Sequence, residues 1–144
     1  MKVADIMERH PTCCTEDNNL VDVARMMKDH DCGAIPVVED QAALIPVGII
    51  TDRDIVVRAL AADMDPMGTK VEECMTRSLV TVDADEDVQE CVRLMEQHQL
   101  RRILVVDERG AVAGIVVQAQ IALNVESSLA GEMIEDISQP NRMA

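Results

Sequence analysis

Apolar positions along the first half of the chain predict a short strand, a helix, two strands and a second helix. The segment TCCT (residues 12–15) predicts the first strand, and the runs AIPVV and PVGII predict a strand pair joined by the turn-forming segment EDQAALI. Between them, apolar residues recur at helical spacing: Leu20, Val23, Ala24 and Met27. The second helix is predicted to begin near Asp52. The order of elements is therefore β-α-β-β-α.

The second half of the chain repeats this pattern, which indicates an internal duplication. Val3 aligns with Val71 without a gap as far as the first hairpin, which is two residues longer in the first copy; beyond it Gly48 aligns with Gly114. Each copy opens with a short helical turn, VADIM or VEECM. The second copy then supplies the strands LVTV, RILVV and AVAGIVV, a helix with the apolar positions Val88, Cys91, Val92 and Met95, and a last helix from Gln118. Polar residues at 17–19 and 83–87 predict N-terminal caps for the two long helices.

The repeats define the predicted domain boundaries and a mixed α/β (α+β) fold class. Neither repeat can bury both faces of its sheet alone, so we expect the two to pack sheet to sheet. We assign 1–62 to repeat 1, 63–70 to a linker interrupted by Pro66 and Gly68, 71–126 to repeat 2, and 127–144 to a C-terminal helix and tail. The apolar stripe of that helix is Leu129, Met133, Ile134 and Ile137, and it docks either on this chain or on a second copy.

The charge of the chain limits its partners. It carries 27 acidic and 13 basic residues, a formal net charge of −14. Such a surface repels nucleic-acid phosphate and anionic lipid, so we expect neither nucleic acid nor a membrane as partner, although a local basic pocket could hold a small anion. No apolar run reaches the roughly 18 residues that cross a bilayer, and the first residues, MKVADIMERHP, are charged where a signal peptide is apolar. These features predict a cytoplasmic protein.

The residue types that most often carry catalysis or metal binding are sparse. The five cysteines form no CxxC pair, and the three histidines lack metal-ligand spacing, so we predict no metal site. A thiol enzyme built on Cys13–Cys14 or Cys74 would need a nearby base, and nothing in the sequence supplies one. Because the chain has no Phe, Tyr or Trp, a bound base would lie between aliphatic side chains and peptide planes.

The two copies differ most in one short motif. The first motif is GIITDRDI (residues 48–55) and the second motif is GIVVQAQI (residues 114–121), so Val117 and Gln120 replace Thr51 and Asp54. The pair Thr51 and Asp54 has the spacing of a helix capping box. The same carboxylate could instead accept hydrogen bonds from the two hydroxyls of a ribose. Both roles stay open, and one residue can serve both.

Several stretches together resemble a tandem pair of CBS domains, named after cystathionine β-synthase and also called a Bateman module. The stretches are the DIM opening, GAIPVV, RRILVV and above all GIITDRDIVVRAL, and the likeness runs from about Val3 to Ile121. The chain is most similar to free-standing bacterial proteins that consist of two such repeats. The resemblance implies two clefts related by a pseudo-two-fold axis, a homodimer, and an adenosine-containing ligand such as AMP, ADP, ATP, NAD or S-adenosylmethionine.

The resemblance also implies a set of binding residues. In the motif Gly48, Ile49, Ile50, Thr51 and Asp54, the carboxylate of Asp54 would bind the ribose with help from Thr51, and Arg53 would meet phosphate. The base would lie against Thr69, Val71 and Cys74, and against the residues that precede each inner strand: Cys32, Gly33 and Ala34 in one copy, Leu100, Arg101 and Arg102 in the other. Lys70 is a weaker phosphate candidate.

Three functions follow from these features. The first is a regulatory module that binds an adenine nucleotide in its interdomain cleft and passes the change to an effector protein. The second is a dimeric interaction scaffold whose cleft is unused. The third, a thiol enzyme, has the least support. Since Val117 and Gln120 suit neither capping nor ribose binding, we expect one nucleotide per chain, held by the first motif.

Overall fold

The computed structural model describes residues 1–124, and these form two units of mixed α/β structure. One unit is Pro11–Leu79, here called the first-motif unit. The other, the second-motif unit, combines Met1–His10 with the residues from Val80 on. The helix predicted within 127–144, with Leu129, Met133, Ile134 and Ile137, lies outside the described residues. None of the helices within residues 1–124 has the length and apolar character needed to span a bilayer.

The elements follow the predicted order in both copies. In chain order they are α1 (Val3–Ile6), β1 (Glu8–Arg9), β2 (Cys14–Thr15), α2 (Leu20–His30), β3 (Ala34–Val38), β4 (Pro46–Thr51), α3 (Asp52–Asp54), β5 (Thr81–Asp83), α4 (Val88–His98), β6 (Arg102–Val106), β7 (Val112–Val117) and α5 (Gln118–Asn124). Helix α3 continues as a π-helical turn, Ile55–Ala59, and a 3₁₀ turn, Leu60–Ala62. A further 3₁₀ turn, Val71–Glu73, is the predicted helical opening of the second copy.

The first-motif unit is built on a three-stranded sheet in the order β2-β3-β4. β2 and β3 are parallel, and β3 and β4 are antiparallel with Ile35 opposite Ile50. Helix α2 covers this sheet because its apolar stripe, Leu20, Val23 and Met27, joins the buried cluster of the unit. Ala24, which has the same helical spacing, is exposed, so its predicted place on the buried face is wrong; Met26 packs partly against the cluster instead.

The second-motif unit has a four-stranded sheet in the order β1-β7-β6-β5. β5 and β6 are parallel, whereas β1 and β6 both pair antiparallel with β7. The predicted stripe of α4 is fully buried in the cluster of this unit: Val88, Cys91, Val92 and Met95. The predicted caps form as well, since Asn19 accepts a hydrogen bond from the N–H of Asp22 at the start of α2, and Asp87 accepts one from Gln89 at the start of α4.

Each unit contains the opening segment of the other repeat. Residues 71–79 belong to the first-motif unit, where Ile49 and Thr76 exchange two backbone hydrogen bonds of 2.9 Å. In the second-motif unit, β1 from the start of the chain pairs with β7 in the same way, Arg9 lying opposite Gly114. Glycine is required at both junctions: a Cβ on Gly48 would lie 2.6 Å from the carbonyl oxygen of Thr76, and one on Gly114 would lie 2.8 Å from that of Glu8.

Candidate functional site

The first motif forms a complete capping box at the start of α3. The N–H of Asp54 donates to Thr51 Oγ1 at 3.0 Å, and the N–H of Thr51 donates to Asp54 Oδ2 at 3.0 Å. Both donors lie at the first turn, where no carbonyl within the helix can accept them. The capping role considered for these two residues is therefore present, and it occupies one of the two carboxylate oxygens of Asp54.

The other oxygen of Asp54 faces Arg58, one helical turn further on. Arg58 Nε lies 3.7 Å from Asp54 Oδ1, which makes an ion pair too long for a hydrogen bond. The Asp54 side chain is 13% exposed and that of Arg58 is 51% exposed. Oδ1 thus keeps lone pairs that no hydrogen bond uses within residues 1–124.

Arg58 also reaches the opening segment of the second repeat. Its Nη1 donates to the carbonyl oxygens of Cys74 and Met75 at 3.3 and 3.2 Å. One side chain therefore connects the acidic residue of the first motif with backbone from residues 71–79. Arg58 is a site residue that was not predicted from the sequence, although its position four residues after Asp54 on a helix has the spacing of an ion pair.

Gly33 and Ala34, which the resemblance implies as base-contacting residues, lie beside the first motif; the base contact itself stays a prediction. Ala34 is opposite Thr51 in the β3–β4 pair, and the N–H of Asp52 donates to the carbonyl of Gly33 at 2.9 Å. A Cβ on Gly33 would lie 2.9 Å from Asp52 Oδ2, so the absence of a side chain at 33 leaves room for that carboxylate. Asp52 is a second acidic residue at this corner that the sequence analysis did not assign.

Several residues predicted to belong to the ligand-binding site have buried side chains. Ile50, Val71 and Cys74 belong to the buried cluster of the first-motif unit. Thr69 is 5% exposed and donates its hydroxyl to the carbonyl of Asp65 at 2.7 Å. Ile49, which points to the other face of β4, is half-buried. Any contact of the four buried residues with a ligand would come from their main chain, and their roles stay predictions.

The predicted phosphate-binding cations differ in their surroundings. Arg53 is exposed, and within residues 1–124 its guanidinium has no hydrogen bond or ion pair. Lys70 lies 3.5 Å from Asp17, so its charge is partly compensated.

Three more residues predicted to contact the base belong to the second-motif unit: Leu100, Arg101 and Arg102. There Arg101 is exposed, and Arg102 is half-buried at the start of β6. Their contribution to a site stays a prediction.

The second motif retains half of the capping box. The N–H of Val117 donates to Gln120 Oε1 at 2.8 Å, so the prediction that Gln120 would not serve as a cap is wrong: an amide oxygen accepts this bond as a carboxylate does. The reciprocal bond is missing because Val117 has no side-chain acceptor. The second motif is therefore capped on one side only and carries no carboxylate.

The thiols of Cys13, Cys14 and Cys74 do not have the character of nucleophiles. Burial raises the pKa of Cys13 to about 11 and, together with the neighbouring Cys13, that of Cys14 to about 12. Burial also raises the pKa of Cys74, to which the charge of Glu73 adds. A thiolate is the reactive form, and these three groups stay protonated at neutral pH. Among residues 1–124, no group of three or more His, Cys, Asp or Glu side chains has the arrangement of a metal site.

The fold and the repeated motif define a protein of two paired domains. The family model for this class of domain is called the CBS domain. That model matches residues 3–60 and 71–126. The chain belongs to the CBS-domain family.

Relatives of known sequence and structure agree with this assignment. Hypoxic response protein 1 of Mycobacterium tuberculosis is 38% identical over 140 residues, covering 97% of this chain and 96% of that protein. Its crystal structure, with two coordinated zinc ions, superimposes with a TM-score of 0.77 at 38% identity over 87% of this chain and 99% of the other.

Two further solved structures bear on ligands and assembly. The CBS domain pair of protein MJ0100, in complex with 5′-methylthioadenosine and S-adenosylmethionine, is 30% identical with a TM-score of 0.73, covering 85% of this chain and 94% of that one. A hexameric CBS-CP12 protein from bloom-forming cyanobacteria is 25% identical with a TM-score of 0.75, covering 88% and 72%.

Proposed function

We propose that this protein is a regulatory module that binds an adenosine-containing ligand at the first motif. Candidate ligands are AMP, ADP, ATP, NAD and S-adenosylmethionine. The observation that carries the proposal is the arrangement at Asp54: Oδ2 is held by the cap, while Oδ1 faces Arg58 and accepts no hydrogen bond within residues 1–124. The bound adenosine derivatives of the MJ0100 domain pair support the same ligand class.

The chemistry of the first motif suits a nucleoside. A carboxylate oxygen can accept from a sugar hydroxyl, and such a charge-assisted hydrogen bond is about twice as strong as a neutral one. Thr51 Oγ1 accepts only from the N–H of Asp54 within residues 1–124, so its hydroxyl proton can be donated to the same sugar. The unpaired guanidinium of Arg53, on the exposed first turn of the helix, would serve a 5′-phosphate or a carboxylate.

The ligand would act by changing the population of two arrangements of the protein. It can shift that equilibrium only by its difference in affinity for the two states. A module of this kind needs an effector protein to pass the signal to, and the proposed partner is therefore a further protein. The proposal includes no catalytic step, and the protonated state of Cys13, Cys14 and Cys74 agrees with this.

The second candidate is a dimeric scaffold with an unused site. Its supporting observation is the complete capping box, which accounts for Thr51 and Asp54 without any ligand. The helix that follows also exposes large apolar side chains, Val56, Val57 and Leu60, which are about half exposed and could pack against a second copy. The homodimer and the cytoplasmic location predicted from the sequence stay predictions.

Thermal unfolding in the presence of AMP, ADP, ATP, NAD and S-adenosylmethionine separates the two candidates. A ligand at about 100 times its dissociation constant adds about 2.7 kcal/mol to the free energy of unfolding. A rise in melting temperature with one or more of the five supports the ligand-binding module. If none of them stabilises the protein at millimolar concentration, the scaffold is the better account, and sedimentation should then show a dimer.

A further inference from the structure

We propose that Arg58 is a positioning residue that ties the ribose-binding oxygen of Asp54 to the backbone at residues 74–75. This inference rests on the proposed function, because it assigns a role to a residue beside that site. Arg58 itself would not touch the ligand's sugar; it would fix the carboxylate that does.

The two oxygens of Asp54 have different partners. The N–H of Thr51 holds Oδ2 at 3.0 Å. Oδ1 accepts no hydrogen bond within residues 1–124, so both of its lone pairs can serve a sugar diol, and it is the oxygen that faces Arg58 Nε at 3.7 Å. The cation restricts rotation of the carboxylate and compensates its charge. A binding group held in place before the ligand arrives loses less entropy when the ligand binds.

The guanidinium of Arg58 is also held at its other end. Arg58 Nη1 donates to two successive carbonyls, those of Cys74 and Met75. A guanidinium presents its donors in a rigid plane, so these two bonds fix the direction of Nε as well. The backbone they hold is itself attached to β4 through Ile49 and Thr76. The position of Oδ1 thus depends on residues 74–75 through one planar group.

The two copies within this chain differ at both positions of the ion pair. Where the first motif has Asp54 and Arg58, the second has Gln120 and Asn124 at the aligned positions. The Asn124 amide donates at 2.7 Å to the carbonyl of Gln120, within its own helix. The second copy, which lacks the carboxylate, also lacks the cation and its hydrogen bonds to the opening segment. This is the arrangement expected if Arg58 positions Asp54.

Calorimetric titration of the full chain tests the inference, with AMP and 5′-methylthioadenosine as probes and their 2′,3′-dideoxy counterparts as ligands without the diol. In the Arg58→Gln variant we expect affinity for the two diol-containing probes to fall about fivefold, since a partly exposed ion pair contributes up to about 1 kcal/mol. Affinity for the dideoxy compounds should change less than about twofold. Arg58→Lys, which keeps the charge but not the planar fork, should lie between wild type and Arg58→Gln.

A double-mutant cycle shows whether Arg58 acts through Asp54. In an Asp54→Asn background, Arg58→Gln should alter affinity for the diol probes by less than about twofold, because the carboxylate it positions is gone. Asn124→Ala, the change at the aligned position of the second copy, is the matched control and should leave all affinities unchanged.

The outcomes are distinguishable. Equal losses for diol and dideoxy ligands in Arg58→Gln, or a full fivefold loss in the Asp54→Asn background, would overturn the positioning role while leaving the proposed function intact. If wild-type protein binds neither probe nor any ligand of the thermal panel, the proposed function fails and this inference fails with it.

Discussion

Gln120 accepts a hydrogen bond from the N–H of Val117 at 2.8 Å, as Asp54 does from Thr51 in the other copy at 3.0 Å. An uncharged amide therefore fills the capping position of this fold. It follows that capping does not require the negative charge of Asp54. The chain thereby contains its own example of a capped motif without a carboxylate, which allows the two roles of Asp54 to be tested separately.

The substitution Asp54→Gln should weaken ligand binding and keep most of the stability. The amide oxygen can accept from the N–H of Thr51, as Gln120 does from Val117, so we expect the free energy of unfolding to change by about 0.5 kcal/mol or less. The rise in melting temperature produced by an adenosine ligand should become smaller, because a neutral amide binds the diol less strongly. An Asp54→Gln protein that keeps the full ligand-induced rise would show that the carboxylate is not the sugar-binding group.

Thr51→Val should destabilise the protein with or without ligand. It removes the acceptor for the N–H of Asp54 and reproduces the half box of the second copy. Loss of such a cap costs about 0.5–2 kcal/mol, measured by urea unfolding. Thr51→Ser keeps the hydroxyl and should cost less than half as much. Equal stability of the valine and serine variants would mean that the hydroxyl does not cap the helix in solution.

Each chain should bind one adenosine ligand. The second motif offers Gln120 in place of a carboxylate and Val117 in place of a hydroxyl, so it lacks both groups proposed to bind the sugar. Titration calorimetry with AMP and with S-adenosylmethionine should give a stoichiometry near one for whichever binds. Two equivalent sites per chain would contradict this assignment. An affinity that is unchanged in Asp54→Gln would indicate that the ligand binds at the second motif instead.

Gly48→Ala should disrupt the docking of the second repeat's opening segment. The added Cβ would lie 2.6 Å from the carbonyl oxygen of Thr76, a backbone atom that pairs with β4 and cannot move freely. We expect a loss of about 1–3 kcal/mol in the free energy of unfolding, in the range of overpacked interiors. Gly68→Ala is the control, because its nearest neighbour would be a flexible carboxylate at 3.5 Å. Similar stability of the two variants would contradict the close approach at Gly48.

Stability should fall as pH rises above about 9. Burial raises the pKa of Cys91 to about 12, as it does that of Cys14, so these thiols stay protonated in the folded protein. In the unfolded chain the same thiols have their usual pKa of 9.0 and lose their protons above that pH. In this window the unfolded state binds fewer protons, and each such thiol lowers the free energy of unfolding by up to about 1.4 kcal/mol per pH unit. Urea unfolding under reducing conditions at pH 8 to 10.5 measures the slope.

Cys91→Ala should make that slope shallower. The control is Val92→Ala, a neighbouring buried truncation that removes no thiol and should lower stability at every pH without changing the slope. A Cys91→Ala protein with the wild-type slope would mean that the thiol does not contribute to the alkaline loss.

Much of the site could be predicted from local sequence, and the parts that could not depend on distant residues. The Thr51 and Asp54 box follows from spacing alone, because its donors and acceptors lie within one turn. Gly33 and Ala34 could be placed beside it because β3 and β4 are consecutive strands. The burial of Ile50, Val71 and Cys74 could not be predicted from local sequence. It depends on which face of β4 and of the opening segment packs into the buried cluster with helix α2. The capping by Gln120 differs from the sequence prediction because this bond needs only an acceptor oxygen and no negative charge.

The sequence by itself determined the duplication, the order of elements in each copy and the helix starts, because periodic burial and capping act over a few neighbouring residues. The tertiary structure alone decided that residues 71–79 join the first-motif unit and residues 1–10 the second-motif unit. It also decided that Arg58 reaches from Asp54 to the carbonyls of Cys74 and Met75. These contacts join segments far apart in the chain, and their free energy comes from backbone pairing and packing that no local pattern of residues specifies.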